Sequence, residues 1–419
     1  MYQKYRLSNG VRVVLEKIPH VKSVSLGFWI KTGSINENIK NNGITHFIEH
    51  MLFKGTKNRT AKEIAESIDD IGGQLNAFTS KECTCYYAKV LDAHVNVAVD
   101  VLTDMLFNST FRSTEIEKEK SVVLEEINMY EDSPEDNAHD LLSKTVFYGH
   151  SLGLPVLGNG DTVNSFDKKT LLNYIETNYT VENMVVSVAG SFDEEALLQL
   201  LEEKFKNFIN KKNKNELEKQ PKFIANTTIK YKDIEQLHLC IGLQGIPLTS
   251  KHYYPLLLMN AVFGGSMSSR LFQNIREDKG LAYSVFSYPS FYKNIGLFTI
   301  YAGINPSQLK EVMKLIKGEI KKIKNYGLTK TELSKAKEQL KGNYILGLES
   351  TSSRMLGIGK SELFLNKIYS QKEILQKIDN VTMEDINNVI DMIFVLNNAA
   401  ISAVGKIDEQ TDISTILKS

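Results

Sequence analysis

The chain has 419 residues, with 50 basic and 50 acidic side chains, 42% hydrophobic content and ordinary numbers of Gly and Pro. That composition describes a globular protein with a sizeable core, at a length that suits two or three domains. Zero formal net charge gives no electrostatic case for nucleic acid or an anionic membrane as partner, and no apolar run reaches the roughly 18 residues of a transmembrane helix.

The N-terminal residues Met1 to Leu7 form neither an apolar signal core nor an Arg/Ser-rich transit segment. They run into a hairpin, with Asn9-Gly10 as the turn and Val11 to Leu15 as the return strand. Ser23 to Gly33 reads as a further strand. His46-Phe-Ile-Glu49-His50 follows. On a helix, i and i+4 share a face and i+3 lies beside them. One turn can therefore hold a metal between the two imidazoles with the Glu49 carboxylate alongside. Zinc hydrolysis of amides needs three protein ligands, an open position for water and a nearby base. The pattern reverses the commoner H-E-x-x-H and is the inverzincin signature. Two helical histidines beside a surface glutamate are the plainer alternative.

Leu75 to Thr79 reads as an edge strand alternating toward and away from the site. A substrate peptide can add to such an edge through main-chain hydrogen bonds, with Asn76 and Ala77 as contacts. Cys83 and Cys85 share one face of a strand and Cys240 lies in another. A lone C-x-C is a poor zinc site and adjacent same-face positions rarely close a disulfide, so all three read as reduced, mostly buried residues of a cytoplasmic protein. Ser113 to Tyr130 reads as a helix opened by a Thr114-x-x-Glu117 capping box. Glu119 and Glu126, two turns apart, share a face of it. The helix also carries Glu115, Glu117, Glu125 and Glu131, and periodicity does not select Glu126 over Glu125. Ser133-Pro134 can start a new helix with Asp136 and Asp140 at i, i+4, a spacing that is most often solvated surface.

Asn210 to Pro221 is polar, charged and ends in Pro, as a linker should. It separates an expected first domain, 1–209, from a second, 223–419, with 210–222 between them. The two halves repeat. Ser23 to Gly33 aligns with Gln236 to Gly245, and His46 to Gly55 aligns with Leu256 to Gly265. Under that alignment His46, Glu49, His50, Glu119 and Glu126 become Leu256, Met259, Asn260, Ala336 and Asn343. All five are lost together while the scaffold glycines and apolar positions persist, which favours a site in the first half only.

In the second half, Arg276-Glu-Asp-Lys-Gly280-Leu-Ala-Tyr283 follows the Gly/Ser segment Phe263 to Arg270. Alone, it reads as a helix with a Gly cap and a strand tyrosine. No Gly-Lys-Ser/Thr follows the Gly/Ser segment, so it is not a phosphate loop.

Three stretches together carry a resemblance: His46 to Thr56, Leu75 to Ser80, and Glu117 to Ile127. They resemble the pitrilysin/insulinase family of zinc peptidases, in particular its short-chain branch with the mitochondrial processing peptidase β subunit. The resemblance implies Glu126, 76 residues after His50, as third zinc ligand, and Glu119 as the additional glutamate seven residues before it. It implies that Arg276 and Tyr283 reach the substrate from the last domain, and that Asp136 and Asp140 bind an arginine near the cleaved bond. The expected architecture is α+β: two tandem homologous domains, each a largely antiparallel sheet with helices on one face, facing each other as a clamshell. The expected function is a zinc metalloendopeptidase, one Zn2+ per chain, acting on peptides as a homodimer with a shared site. The competing expectation is a non-catalytic peptide-binding or assembly subunit of a hetero-oligomeric peptidase.

Overall fold

The structure, a computed structural model, describes residues 2–208, 220–408 and 412–418. The described residues form two compact units: 2–127, 154–208 and 345–368 in the first, and 128–153, 220–344, 369–408 and 412–418 in the second. The expected linker lies outside the described residues except for its last three positions.

The first unit is built on six strands: β1 (Tyr2–Arg6), β2 (Arg12–Lys17), β3 (Ser23–Ile30), β4 (Gln74–Thr79), β5 (Thr84–Leu91) and β6 (Met184–Gly190). Their order is β1-β2-β6-β3-β5-β4, antiparallel throughout except for the β2–β6 pair. Alternation sorts the side chains onto two faces. Val13 and Leu15, Val24, Leu26, Phe28 and Ile30, and Val186 and Val188 enter one core. That core is completed by helices Ile44–Leu52, Ala61–Asp69, Val95–Asn108, Lys168–Asn178 and Glu194–Phe205. Val14, Trp29, Cys85, Val185 and Ala189 point the other way, and helix Thr351–Leu365 covers them with Met355, Ile358 and Leu363. With both faces buried, β6 reads as a continuous apolar run rather than an alternating one. Gly359 permits the close approach, since a Cβ there would lie 2.2 Å from Trp29 Nε1. The Trp29 indole N–H donates to Ser187 Oγ (2.8 Å), so this polar atom is not stranded in the layer.

The second unit repeats the plan with five strands: β7 (Thr227–Tyr231), β8 (Leu237–Gly245), β9 (Ala282–Phe291), β10 (Gly296–Ile304) and β11 (Ala400–Gly405). The order β7-β11-β8-β10-β9 is that of the first sheet without β1, and the one parallel pair, β7–β11, matches β2–β6. Helices Tyr253–Phe263, Leu309–Tyr326 and Met383–Ile393 close one core. Helix Pro134–Val146 packs across β8 and β11 on the other face, where the Ser402 hydroxyl donates to the Ala138 carbonyl (2.7 Å). This layer is more polar than its counterpart. Tyr288 O–H is 2.9 Å from His139 Nδ1, Tyr301 O–H is 2.8 Å from His238 Nδ1, and Tyr301 O–H also donates to Glu135 (3.2 Å).

Each sheet is largely antiparallel, as expected, and the compact units cut across the two repeats. Helix Pro134–Val146 belongs to the second unit and helix Thr351–Leu365 to the first, so the two repeats exchange one helix each. Each sheet therefore has helices on both faces, one of them contributed by the other half of the chain. Among the described residues no helix is long and apolar enough to cross a membrane.

Candidate metal centre

Helix Ile44–Leu52 buries Ile44, Phe47, Ile48, Met51 and Leu52 in the core, which fixes the direction of its remaining side chains. Its start is held by an internal cap. One Glu37 carboxylate oxygen accepts from the Gly43 N–H (2.7 Å) and the Asn42 side chain (2.9 Å), and the other accepts from the Thr45 N–H (2.9 Å). A carboxylate at this end also faces the positive pole of the helix. Gly43 takes the left-handed conformation (φ 90°), and a Cβ there would lie 2.6 Å from the Leu157 carbonyl oxygen.

The helix presents His46, buried, with Glu49 and His50 half-buried. Helix Ser113–Asp132 brings Glu126 to them and leaves Glu125 in solvent. Glu126 Oε2 lies 3.6 Å from His46 Nε2 and 3.6 Å from His50 Nε2, and one ligand atom from each of the three residues lies within 4.8 Å of the others. A tetrahedral zinc with bonds of about 2.0–2.1 Å sets its donors about 3.3 Å apart, so this set fits zinc with small adjustments. Two imidazoles and one carboxylate leave a fourth position open. His50 Nδ1 is 2.8 Å from Glu119 Oε1 and donates to it, which in the neutral ring leaves the Nε2 lone pair free to ligate a metal. Lys54 pairs with the second Glu119 oxygen at 2.7 Å. The Thr79 hydroxyl on β4 donates to Glu49 Oε2.

Electrostatics divide these groups. Burial, reinforced by His50, pushes His46 down to about 3, so it is a neutral imidazole at physiological pH. Burial also disfavours the charged form of His50, but the Glu119 hydrogen bond and the charges of Glu119, Glu126 and Glu49 outweigh it and raise its pKa. Glu119 is opposed by burial and held below its ordinary value by the His50 and Lys54 hydrogen bonds. Glu49 is raised, chiefly by burial, against the hydrogen bond from Thr79.

The other expected residues fall in two places. Asn76 and Ala77 lie on β4, which is the edge strand expected, with Asn76 exposed and its side-chain oxygen accepting from the Ala77 N–H (2.8 Å). Arg276 and Tyr283 belong to the second unit, where they neighbour each other. The Arg276 guanidinium lies 4.6 Å from the Phe272 ring centroid and 5.5 Å from that of Tyr283. Tyr283 is 77% exposed on β9, the edge of its own sheet. Asp136 and Asp140 are exposed on helix Pro134–Val146, whose Glu135 and His139 face the sheet instead. Cys83, Cys85 and Cys240 are free and buried.

Sequence reasoning missed Glu37, Lys54 and Thr79. Lys54 stands at i+4 from His50, a spacing that could have flagged it, and Thr79 has the strand parity of Ala77. Glu37 has no such signal.

Known proteins of similar sequence point to one class. The chain is 49% identical over 394 residues to an uncharacterized zinc protease of Bacillus subtilis, YmxG, covering 94% of this chain and 96% of that one. It is 39% identical over 390 residues to an uncharacterized zinc protease of Streptomyces coelicolor, covering 91% and 85%. Those names support a zinc peptidase. Residues 12–160 match the insulinase family (peptidase family M16) and residues 165–340 match the peptidase M16 inactive domain, and the chain belongs to this family. Its fold is shared with a protease from Helicobacter pylori (TM-score 0.91, 23% identity, 96% of this chain and 99% of that one). It is shared also with a chain of complex III2 from Candida albicans (TM-score 0.85, 20% identity, 99% of each chain).

Proposed function

We propose that the chain is a zinc-dependent metalloendopeptidase that cuts peptides or unfolded segments in an enclosed chamber, with one zinc per chain held by His46, His50 and Glu126. The observation that carries this reading is the convergence of those three donors within 4.8 Å, beside a Glu49 carboxylate that feels the charges of His50 and Glu126. Bound there, zinc supplies a Lewis acid that polarises the scissile carbonyl and acidifies water. Glu49 takes a proton from the attacking water and delivers it to the amine nitrogen as the C–N bond breaks. Its raised pKa brings it closer to the working range of a proton carrier, and Thr79 orients one of its oxygens.

Substrate adds to β4 as a further strand, bonded through the main chain at Asn76 and Ala77, so binding there does not read sequence. Arg276 anchors a peptide carbonyl, and the Tyr283 hydroxyl donates to the oxygen that becomes anionic. Asp136 and Asp140 take an arginine close to the cleaved bond. In this reading residues 1–209 are the zinc-binding catalytic half and 223–419 its homologue without ligands, each half lending one helix to the other compact unit. Two identical chains form a homodimer, each site combining the zinc set of one protomer with Arg276 and Tyr283 of the other. Three free buried cysteines accord with a reducing compartment, and we place the enzyme in the cytoplasm.

The test is cleavage of a quenched random-sequence peptide pool, with products mapped by mass spectrometry. Cleavage that stops with a chelator and returns with zinc supports the reading, and chelator-resistant cleavage contradicts it. Mixing inactive Glu49→Gln with Tyr283→Phe protein, under conditions where subunits exchange, should restore activity by creating one intact site per mixed dimer. Activity that stays at the average of the two variants would rule out the shared site.

A further inference from the structure

The two histidines of the centre are supported in different ways. His46 Nδ1 is buried with no hydrogen-bond partner among the described residues, whereas His50 Nδ1 meets Glu119 Oε1 at 2.8 Å. Glu119 is only 2% exposed, and its second oxygen meets Lys54 Nζ at 2.7 Å. Lys54 sits just past helix Ile44–Leu52, four residues after His50, while Glu119 stands on helix Ser113–Asp132, two turns before Glu126. The pair therefore ties together the two helices that carry the ligands.

We infer that Lys54 is a positioning residue for the metal centre: it clamps the buried Glu119 carboxylate so that Oε1 holds the His50 ring. This inference rests on the zinc reading proposed above. Each Glu119 oxygen has one strong partner on a different side, so the carboxylate has a single satisfied orientation. Without the ammonium, a buried carboxylate would keep one donor and lose its compensating charge, leaving it to turn away from His50 in search of another. An orienting partner of a ligating histidine is commonly worth 10–100-fold in metal affinity. Lys54 acts at one remove, so the lower end of that range, about tenfold, is expected. His46 has no such partner at Nδ1 among the described residues, and the centre depends correspondingly on the His50 side.

The experiment uses the full chain as wild type, Lys54→Met, Lys54→Arg, Glu119→Gln and the Lys54→Met/Glu119→Gln double variant. Zinc dissociation constants are measured by competition with a chromophoric chelator, and the visible spectrum of each cobalt(II)-substituted protein reports ligand geometry. Lys54→Met should weaken zinc about tenfold and shift the cobalt bands, and Lys54→Arg should recover most of the loss. In the Glu119→Gln background, Lys54→Met should add less than about twofold, because its route to the metal is already cut. A thermal melt of each metal-free protein separates loss of the clamp from loss of the fold, and the arginine variant keeps the question open to a negative answer. Wild-type affinity and spectrum in Lys54→Met, or its full effect in the Glu119→Gln background, would overturn the inference. A wild-type chain that takes up neither zinc nor cobalt would overturn the zinc reading itself.

Discussion

Helices Ile44–Leu52 and Tyr253–Phe263 occupy equivalent places, each following the strand that lies third from the edge β4 or β9, in two sheets of matching order. Where the first carries His46, Glu49 and His50, the second carries Leu256, Met259 and Asn260. Leu256 and Met259 are fully buried, and Asn260 accepts a hydrogen bond from the Ser287 hydroxyl at 2.7 Å. The second helix shows what the scaffold asks for at these positions, which is apolar volume and one local polar contact. The first departs from that at a cost. His46 is buried deeply enough to push its pKa to about 3, and its Nδ1 has no hydrogen-bond partner among the described residues. A departure that packing does not require and stability does not reward points to function.

That comparison can be broken or sharpened at several points. The largest effect belongs to Glu49→Gln, which keeps the shape of the side chain and cannot accept a proton. It should bind zinc as wild type does and lower kcat by about 10²-fold or more in the quenched-peptide assay. Loss of zinc from this variant would move Glu49 from proton carrier to ligand.

The second effect is pH-dependent. A proton on His50 must leave before Nε2 can bind metal, and the raised pKa of His50 means that proton is held to a higher pH than usual. Zinc affinity should therefore fall by about tenfold per pH unit as pH drops through the raised His50 value. His46, already neutral down to about 3, should add no second proton above that point. A slope of two protons near neutrality, measured by chelator competition across pH, would contradict the asymmetry between the two histidines.

The smallest effect lies in the second unit. Asn260→Ala leaves the buried Ser287 hydroxyl without its acceptor and should lower stability by about 1–3 kcal/mol, read from a denaturant titration. Zinc content should not change. A drop in zinc would show that the two helices are not divided into metal-binding and structural roles.

What was legible in the sequence was local. The Asn9-Gly10 turn is set by its own backbone, with Gly10 at φ 100°, and the hairpin β1–β2 follows. The i, i+4 spacing of His46 and His50 put both imidazoles on one face because Phe47, Ile48 and Met51 commit the other faces to the core. Leu75 to Thr79 was readable as an edge by its alternation. The exchange of helices Pro134–Val146 and Thr351–Leu365 was not legible, because an apolar stripe such as Ala138-Leu142 or Met355-Ile358 says that a helix packs but not on which sheet. The choice between Glu125 and Glu126 was hidden for a related reason. It depends on how helix Ser113–Asp132 is rotated, and Ile116 and Val123 fix that only through tertiary contacts. Glu37 escaped notice because a carboxylate capping a helix from seven residues before its first residue obeys no sequence rule.

The central claim is that one zinc sits in the first half of the chain, on His46, His50 and Glu126. Elemental analysis of purified wild type after exhaustive dialysis, beside Glu126→Gln and Asn260→Ala, tests it most directly. The account predicts about one zinc per chain in wild type and Asn260→Ala, and far less in Glu126→Gln, which has lost its only carboxylate ligand. A wild-type chain without zinc, or a Glu126→Gln protein that retains it in full, would contradict the account.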